Sequence, residues 1–413
     1  MSQLIIFIYR VLTALIVWPL CLAVRNHPNF ENTIRQRLAL KLPDVPGGDL
    51  IWLHGASLGE IRALAGLIED LKARKPGTVI CLSAMTATGR QAAMSIKGAD
   101  IVIPLPFDVR RIMNRYMRHL APKVLVIAET EIWPNMLLAA EANSIPVIII
   151  NARLSERAFR RYLHIKPLTR RLLEKVRILA MAEEHDERFR ALGAANVGSA
   201  GNIKFDTVAK LEIGRVESLR KELGIGKRPV FIAGSIRTGE ERDIIEAIAD
   251  IRKKIPETFC VVAPRHHERI KFVTDAAAQR AMTWSFRSEG SAGADILILD
   301  TVGELFDFYG LSDAAFIGGS LVKLGGQNIL EPVAWGVPTV HGPHMDNFLW
   351  AMEVIGRYTT TVTDAAGLSR EIVSIISRPD VYRQKAQMAQ AALDGAKGAT
   401  KRYSDEILQI FTK

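Results

Sequence analysis

Short apolar runs separated by helical stretches constrain the fold of this chain more than any other feature. In the first half the runs are Leu50–Leu53, Val79–Ser83, Ile101–Pro104, Val124–Ile127, Val147–Ile150 and Ile178–Met181. Helix-like patterns lie between them, for example Leu58–Ala73 and Val109–Leu120. Strands that are apolar almost throughout must be covered on both faces, as in a parallel sheet with helical crossovers. Such crossovers are right-handed. The rhythm restarts after residue 215, with runs at Val230–Ala233, Phe259–Ala263, Ile296–Leu299, Ala314–Ile317 and Thr339–Val340. A chain of 413 residues is too long for one ordinary α/β core and suits two. The expected fold class is therefore α/β, with two doubly wound, Rossmann-like domains and a break near Lys204–Gly214. Ligands in such sheets bind outside the C-terminal strand ends, at the switch points. Two such domains in tandem are expected to present those ends to one cleft. The stretch Asp380–Lys413 reads as helical and is expected to pack back on the first domain.

Composition narrows the partners. The net charge of +10 favours an anionic one: nucleic acid, a nucleotide substrate or an anionic membrane. The three cysteines, Cys21, Cys81 and Cys260, form no CxxC pair, which argues against structural zinc and against a disulfide framework. Residues 4–24 are apolar except for Arg10, and Arg25 follows. Neither the leading basic residues nor the small-residue cleavage site of a signal peptide is evident. A buried core helix is the plain alternative to a membrane anchor. Arg10 and Pro19 count against a straight span, since a charge near the bilayer centre costs about 3 kcal/mol on insertion scales. Tyr9 and Trp18 suit an interface. The segment reads as a membrane-associated helix, spanning or interfacial.

Several segments carry candidate chemistry. In His54-Gly-Ala-Ser-Leu-Gly-Glu60, Ser57 and Glu60 have the spacing of a capping box. Glu60 also stands at a strand end, where a carboxylate can accept a proton from an alcohol. Glu129 and Glu131 follow another strand, either capping the next helix or balancing charge at the site. Pro134 fits the first turn of that helix. Arg153, Arg157, Arg160, Arg161, Lys166, Arg170 and Arg171 form a basic stretch, either a solvated face or a contact for lipid headgroups. Lys204, in Gly201–Asp206, can reach a phosphate or simply mark a hinge. In the second half Pro264-Arg265-His266-His267, Gly303-Glu304, Gly318-Gly319-Ser320 and Gly325–Pro332 all lie at strand ends or helix starts. Glycines admit a ligand to the backbone, helix N-termini bind phosphate and Arg265 can pair with it. Four such turns along one edge point to a nucleotide. GxxxxGK[ST], D-x-D and HExxH are absent, so no required metal is expected. No nucleic-acid module is recognisable.

Taken together, HGASLGE, TATG (86–89), ETEIWPN, NARLS, GNIKFD, PRHHER, GELFDFYG, GGS, GGQNILEP and GPHMDNF resemble the 3-deoxy-D-manno-octulosonic acid (Kdo) transferases of lipopolysaccharide assembly. The resemblance runs in order from residue 54 to 348. It implies a GT-B fold, CMP-Kdo as donor, a lipid A precursor (lipid IVA) as acceptor and inversion at the anomeric carbon. It implies Glu60 as proton acceptor, with Glu129 and Lys204 supporting the transition state. Pro264, Arg265, Val302, Gly303, Glu304, Asn328, Ile329, Leu330 and Glu331 are similar to positions that hold CMP. Gln327 departs from the usual His, and an altered contact is expected there. On this reading residues 1–27 are the anchor, 28–208 bind the acceptor and 209–413 bind the CMP-sugar, at the cytoplasmic face of a bacterial inner membrane, with an anionic membrane surface but no nucleic acid or cofactor as partner. A lowered pKa is expected at Glu60 from the adjoining helix N-terminus. The competing readings are another nucleotide-sugar enzyme, such as a soluble epimerase, and a non-catalytic CMP-binding membrane protein.

Overall fold

The computed structural model describes residues 2–24, 26–27, 30, 32–290 and 293–412. Arg25, expected beside the N-terminal helix, lies outside the described residues. The chain forms two units, one of Met1–Thr207 with Lys397–Lys413 and the other of Val208–Ala396.

The first unit holds seven parallel strands, β1 (Leu50–Gly55), β2 (Val79–Ala84), β3 (Ile101–Pro104), β4 (Val124–Ala128), β5 (Val147–Ala152), β6 (Arg177–Ala180) and β7 (Asn196–Ser199), in the order β3-β2-β1-β4-β5-β6-β7. β1, β2, β4 and β5 are buried throughout, as strands covered on both faces must be. One face packs on Trp52, Met113 and Tyr116. The other packs on the helix Leu58–Arg74, whose Ile61, Leu64, Ile68 and Leu71 recur at helical spacing. Burying each such side chain contributes roughly 1.5–3 kcal/mol. The helix Ala399–Phe411 completes this face with Tyr403, Ile407 and Phe411. Both oxygens of Asp206 cap its start, accepting from the Gly398 and Thr400 amides at 2.6 Å. Glu406 fixes it further through Arg177 at 2.8 Å.

The second unit also has seven parallel strands: β8 (Val230–Ile236), β9 (Phe259–Pro264), β10 (Trp284–Phe286), β11 (Ile296–Ile298), β12 (Ala314–Ile317), β13 (Thr339–His341) and β14 (Thr360–Thr361). Their order is β10-β11-β9-β8-β12-β13-β14. In each sheet the chain leaves the first strand toward one edge and later crosses to its other side. The switch points are thus β1/β4 and β8/β12.

Three strands were not expected: β7, β10 and β14. Each ends its sheet and is two to four residues long with polar residues in it, so it lacks the apolar run that marks a central strand. The helix Ser2–Val24 has the length and composition to cross a membrane. Its Tyr9 nevertheless faces the protein rather than an interface, donating to Asp108 Oδ2 at 2.8 Å. Arg10 Nε donates to Asn135 Oδ1 at 3.4 Å. The opposite face leaves Leu4, Phe7, Leu15, Trp18 and Leu22 each more than 60% exposed. Arg37, from the basic stretch before β1, is buried and donates to the carbonyls of Leu105 (2.8 Å) and Met85 (2.7 Å), so it ties that stretch to the sheet.

Candidate active site

The first switch point gathers acids from both of its strands. β1 ends at Gly55, and Ser57 caps the helix that follows. Glu60 sits in the first turn of that helix. Its Oε2 accepts from the Ala56 amide and its Oε1 from the Ser57 hydroxyl, both at 2.7 Å. The cap and the functional placement thus coexist, because the same bonds that close the helix aim the carboxylate. β4 ends at Ala128, and Glu129 follows in the left-handed region at φ 58°. That conformation costs a non-glycine residue about 1–3 kcal/mol and is held in place by its surroundings. Here the Glu129 amide donates to Ile150 O at 2.9 Å. Asn151, also left-handed at φ 51°, accepts from the Ile203 amide at 3.0 Å and so fixes the turn that carries Lys204. Lys204 Nζ then reaches Glu129 Oε1 at 2.7 Å. The expected trio Glu60, Glu129 and Lys204 therefore meets at one strand edge from three sequence positions.

The electrostatics reverse the expectation for Glu60. Burial pushes its pKa up. Its bonds to Ser57 and Ala56 pull it down, Glu129 raises it and Lys204 lowers it, and the net direction is upward. The helix start does pull as expected, but desolvation outweighs it. Glu131, expected either to cap the next helix or to balance charge, has its pKa raised by burial and then by the charge of Glu60. His54 is no candidate base: burial holds its pKa at about 4, and its Nδ1 bonds Ser83 Oγ at 3.0 Å. Of the basic stretch, Arg160 pairs with Glu156 (2.9 Å) and Arg171 with Glu141 (2.8 Å). Arg153, Arg157, Arg161, Lys166 and Arg170 are exposed.

The second switch point is organised by a residue that sequence reading missed. Glu240 is fully buried, and its carboxylate accepts from four amides: Arg237 (2.8 Å), Gly319 (2.6 Å), Ser320 (3.0 Å) and Leu321 (3.0 Å). It ties the turn after β8 to the turn after β12. An acid at a helix start ordinarily reads as a dipole partner, and nothing in the sequence shows that three of its four amides come from 79–81 residues away. The glycines here are required by contact. A Cβ on Gly234 would lie 1.9 Å from Tyr309 Oη, and one on Gly318 would lie 2.3 Å from Ser235 O.

Beside this point a cavity of about 140 Å³ opens at the ends of β8, β9 and β11, lined by Pro264, Arg265, Val302 and Gly303 among others. Four of the expected nucleotide positions therefore come together. Glu304 adjoins them, but its carboxylate is engaged by Arg287 at 3.0 Å and Arg215 at 3.1 Å. Burial pushes its pKa up, yet Thr301, Arg287 and Arg215 bring it below the usual range. Ile329 and Leu330 are buried, and the Leu330 amide donates to Asn328 Oδ1 at 3.2 Å. Asn328 Nδ2 donates to Glu331 Oε1 at 2.9 Å. Burial raises the Glu331 pKa against Asn328 and the charge of Arg265, which places Arg265 within electrostatic reach of this second group. Among the described residues no group of three or more His, Cys, Asp or Glu is placed to hold a metal ion.

Two parallel sheets, each with polar groups at its switch point and with a glycine-rich edge in the second, make up a GT-B fold. The UDP-GlcNAc 2-epimerase of Neisseria meningitidis, solved with UDP-GlcNAc, shares that fold at a TM-score of 0.59 and 16% identity, over 87% of this chain and all of that one. A family model described as 3-deoxy-D-manno-octulosonic-acid transferase matches residues 32–207. The 3-deoxy-D-manno-octulosonic acid transferase of Haemophilus influenzae is 31% identical over 388 residues, 90% of each chain. That of Bordetella pertussis is 32% identical over 379 residues, 86% of each. The chain belongs to the 3-deoxy-D-manno-octulosonic acid transferase family.

Proposed function

We propose that this enzyme transfers Kdo from CMP-Kdo to the glucosamine disaccharide of a phosphorylated lipid A precursor, lipid IVA, with inversion and without a metal ion. The observation that carries the reading is the Glu60 carboxylate, aimed by Ser57 and Ala56 at the first switch point with its pKa raised. A raised pKa strengthens a base while leaving it ionised above that pKa. Glu60 takes the proton from an acceptor hydroxyl, the freed oxygen bonds to the anomeric carbon, and the bond from that carbon to the CMP phosphate breaks with its electron pair going to phosphate. Attack opposite the leaving group inverts the centre. Lys204, balanced by Glu129, supplies positive charge as the phosphate departs.

The donor is held by the second unit. Arg265 pairs with the phosphate, and the backbone around Gly303 supplies N–H groups. Glu331 accepts from ribose hydroxyls. The exposed arginines of 153–161 and the apolar helix Ser2–Val24 set the acceptor side against the anionic cytoplasmic leaflet of the inner membrane. The metal-free reading rests on cations of the chain, Arg265 and Lys204, supplying that charge.

The test is incubation with CMP-Kdo and tetraacylated lipid IVA, with the product read by mass and its anomeric configuration by NMR, in buffer containing EDTA. One or more added Kdo units with inverted configuration are expected, at an undiminished rate. Loss of transfer on chelation would remove the metal-free reading, and turnover of UDP-sugars without Kdo transfer would remove the donor assignment.

A further inference from the structure

The helix Ser2–Val24 does not lie flush on the first unit. Between them runs a groove of about 1040 Å³, at the upper end of the size of small-molecule sites. Phe7, Val11 and Trp18 form its outer wall, and Leu38, Ile112 and Leu138 its inner one. Arg10, Arg110, Arg111 and Arg171 line it as well. Arg10 feels the repulsion of both Arg110 and Arg171, so at least three like charges converge there. Among the described residues Arg10, Arg110 and Arg111 have no acidic partner within salt-bridge distance. Asp108, beneath the helix, has its oxygens taken by Tyr9 and by the amides of Asn135 (3.0 Å) and Met136 (2.8 Å).

An apolar trough lined in part by unpaired arginines is unfavourable as an empty surface. It leaves hydrocarbon in water and like charges unscreened. Its complement is one molecule with both an alkyl chain and an anionic head. The groove also connects to the catalytic edge through the chain itself: Asn135, which accepts from Arg10, is four residues beyond Glu131. Trp18 and Phe7 belong to the exposed apolar face as well, so an alkyl chain can pass from a membrane into the groove without crossing water.

We infer that this groove seats an acyl chain of the phosphorylated lipid acceptor, with a phosphate of the same molecule at Arg10 and Arg110. The inference rests on the acceptor class proposed above. It assigns the N-terminal helix a substrate-binding role in addition to any tethering one. Arg171, already bound to Glu141, adds field rather than a direct bond.

The test is equilibrium binding without donor, using purified full chain in mixed micelles. The two probes are lipid IVA and the same bisphosphorylated disaccharide with its acyl chains removed. Val11→Trp, which fills the groove, and Val11→Glu, which makes it polar, are each expected to weaken lipid IVA binding at least about tenfold and to leave the deacylated probe bound as in the wild type. Arg110→Ala is expected to weaken both probes. Val11 is partly exposed, and unchanged thermal midpoints show that the fold is retained. Undiminished lipid IVA binding by both Val11 variants overturns the inference, as does an equal loss for the two probes. Competition by phosphatidylglycerol micelles as effective as by lipid IVA also overturns it, since the groove then takes bulk membrane lipid. Absence of Kdo transfer by the wild type counts against the proposed reaction and leaves this binding result standing.

Discussion

Glu60 and Glu240 occupy equivalent places in the two units and are treated in opposite ways. Each follows the first strand of its sheet, each stands at a helix start, and each faces a switch point. Glu240 is buried with four amide donors, so its bonding capacity is spent inside the protein. Glu60 has two donors, remains partly exposed and feels the charges of Glu129 and Lys204. The difference teaches that saturation, more than position, separates a structural carboxylate from one free to exchange a proton.

The comparison breaks most visibly at Glu240. Glu240→Ala strands four amides, those of Gly319 and Ser320 buried and those of Arg237 and Leu321 partly so, and a buried unsatisfied amide costs about 1–3 kcal/mol, so the second unit should lose roughly 2–4 kcal/mol in chemical denaturation. Retained stability would show that Glu240 is no pin. Next in size is Glu60→Gln, which should lower transfer at least about a hundredfold, the scale of general-base loss, while CMP binding and the denaturation midpoint stay near wild type. Full activity in that variant would leave a non-catalytic nucleotide binder as the better reading. The smallest effect sharpens the electrostatics. In the proposed mechanism the base works ionised, so activity is expected to fall as pH drops through the raised Glu60 pKa. Glu129→Gln removes a like charge and should move that acid limb to lower pH, whereas Lys204→Met should move it to higher pH. Limbs that move the other way, measured as kcat/KM against pH, would place the titrating group elsewhere.

Much of the fold was legible because β1, β2, β4, β5, β8 and β9 are covered on both faces and so carry unbroken apolar runs. β7, β10 and β14 carry none, since an edge strand needs no such run. The placement of individual candidate residues at strand ends was legible: Glu60 after β1, Glu129 after β4, Arg265 after β9. Their relations were not. Lys204 meets Glu129 across 75 residues, and only the turn fixed by Asn151 brings them together. Tyr9 resembled an interfacial aromatic because composition cannot show that Asp108, 99 residues on, waits beneath it. The sign of the Glu60 shift depended on burial, which competes with a helix-end effect that is visible in sequence.

The helix Ala399–Phe411 has a bearing on how the protein is made. It completes the first unit, yet all of residues 208–396 are translated before it. Domains fold as they leave the ribosome, N-terminal ones ordinarily first. Here the later unit is contiguous and can finish while the earlier one still has Leu64 and Ile68 open on the face that Tyr403 and Ile407 will cover. The order of completion is thus the reverse of the order of synthesis, and a nascent chain halted anywhere before residue 399 carries an unclosed apolar face.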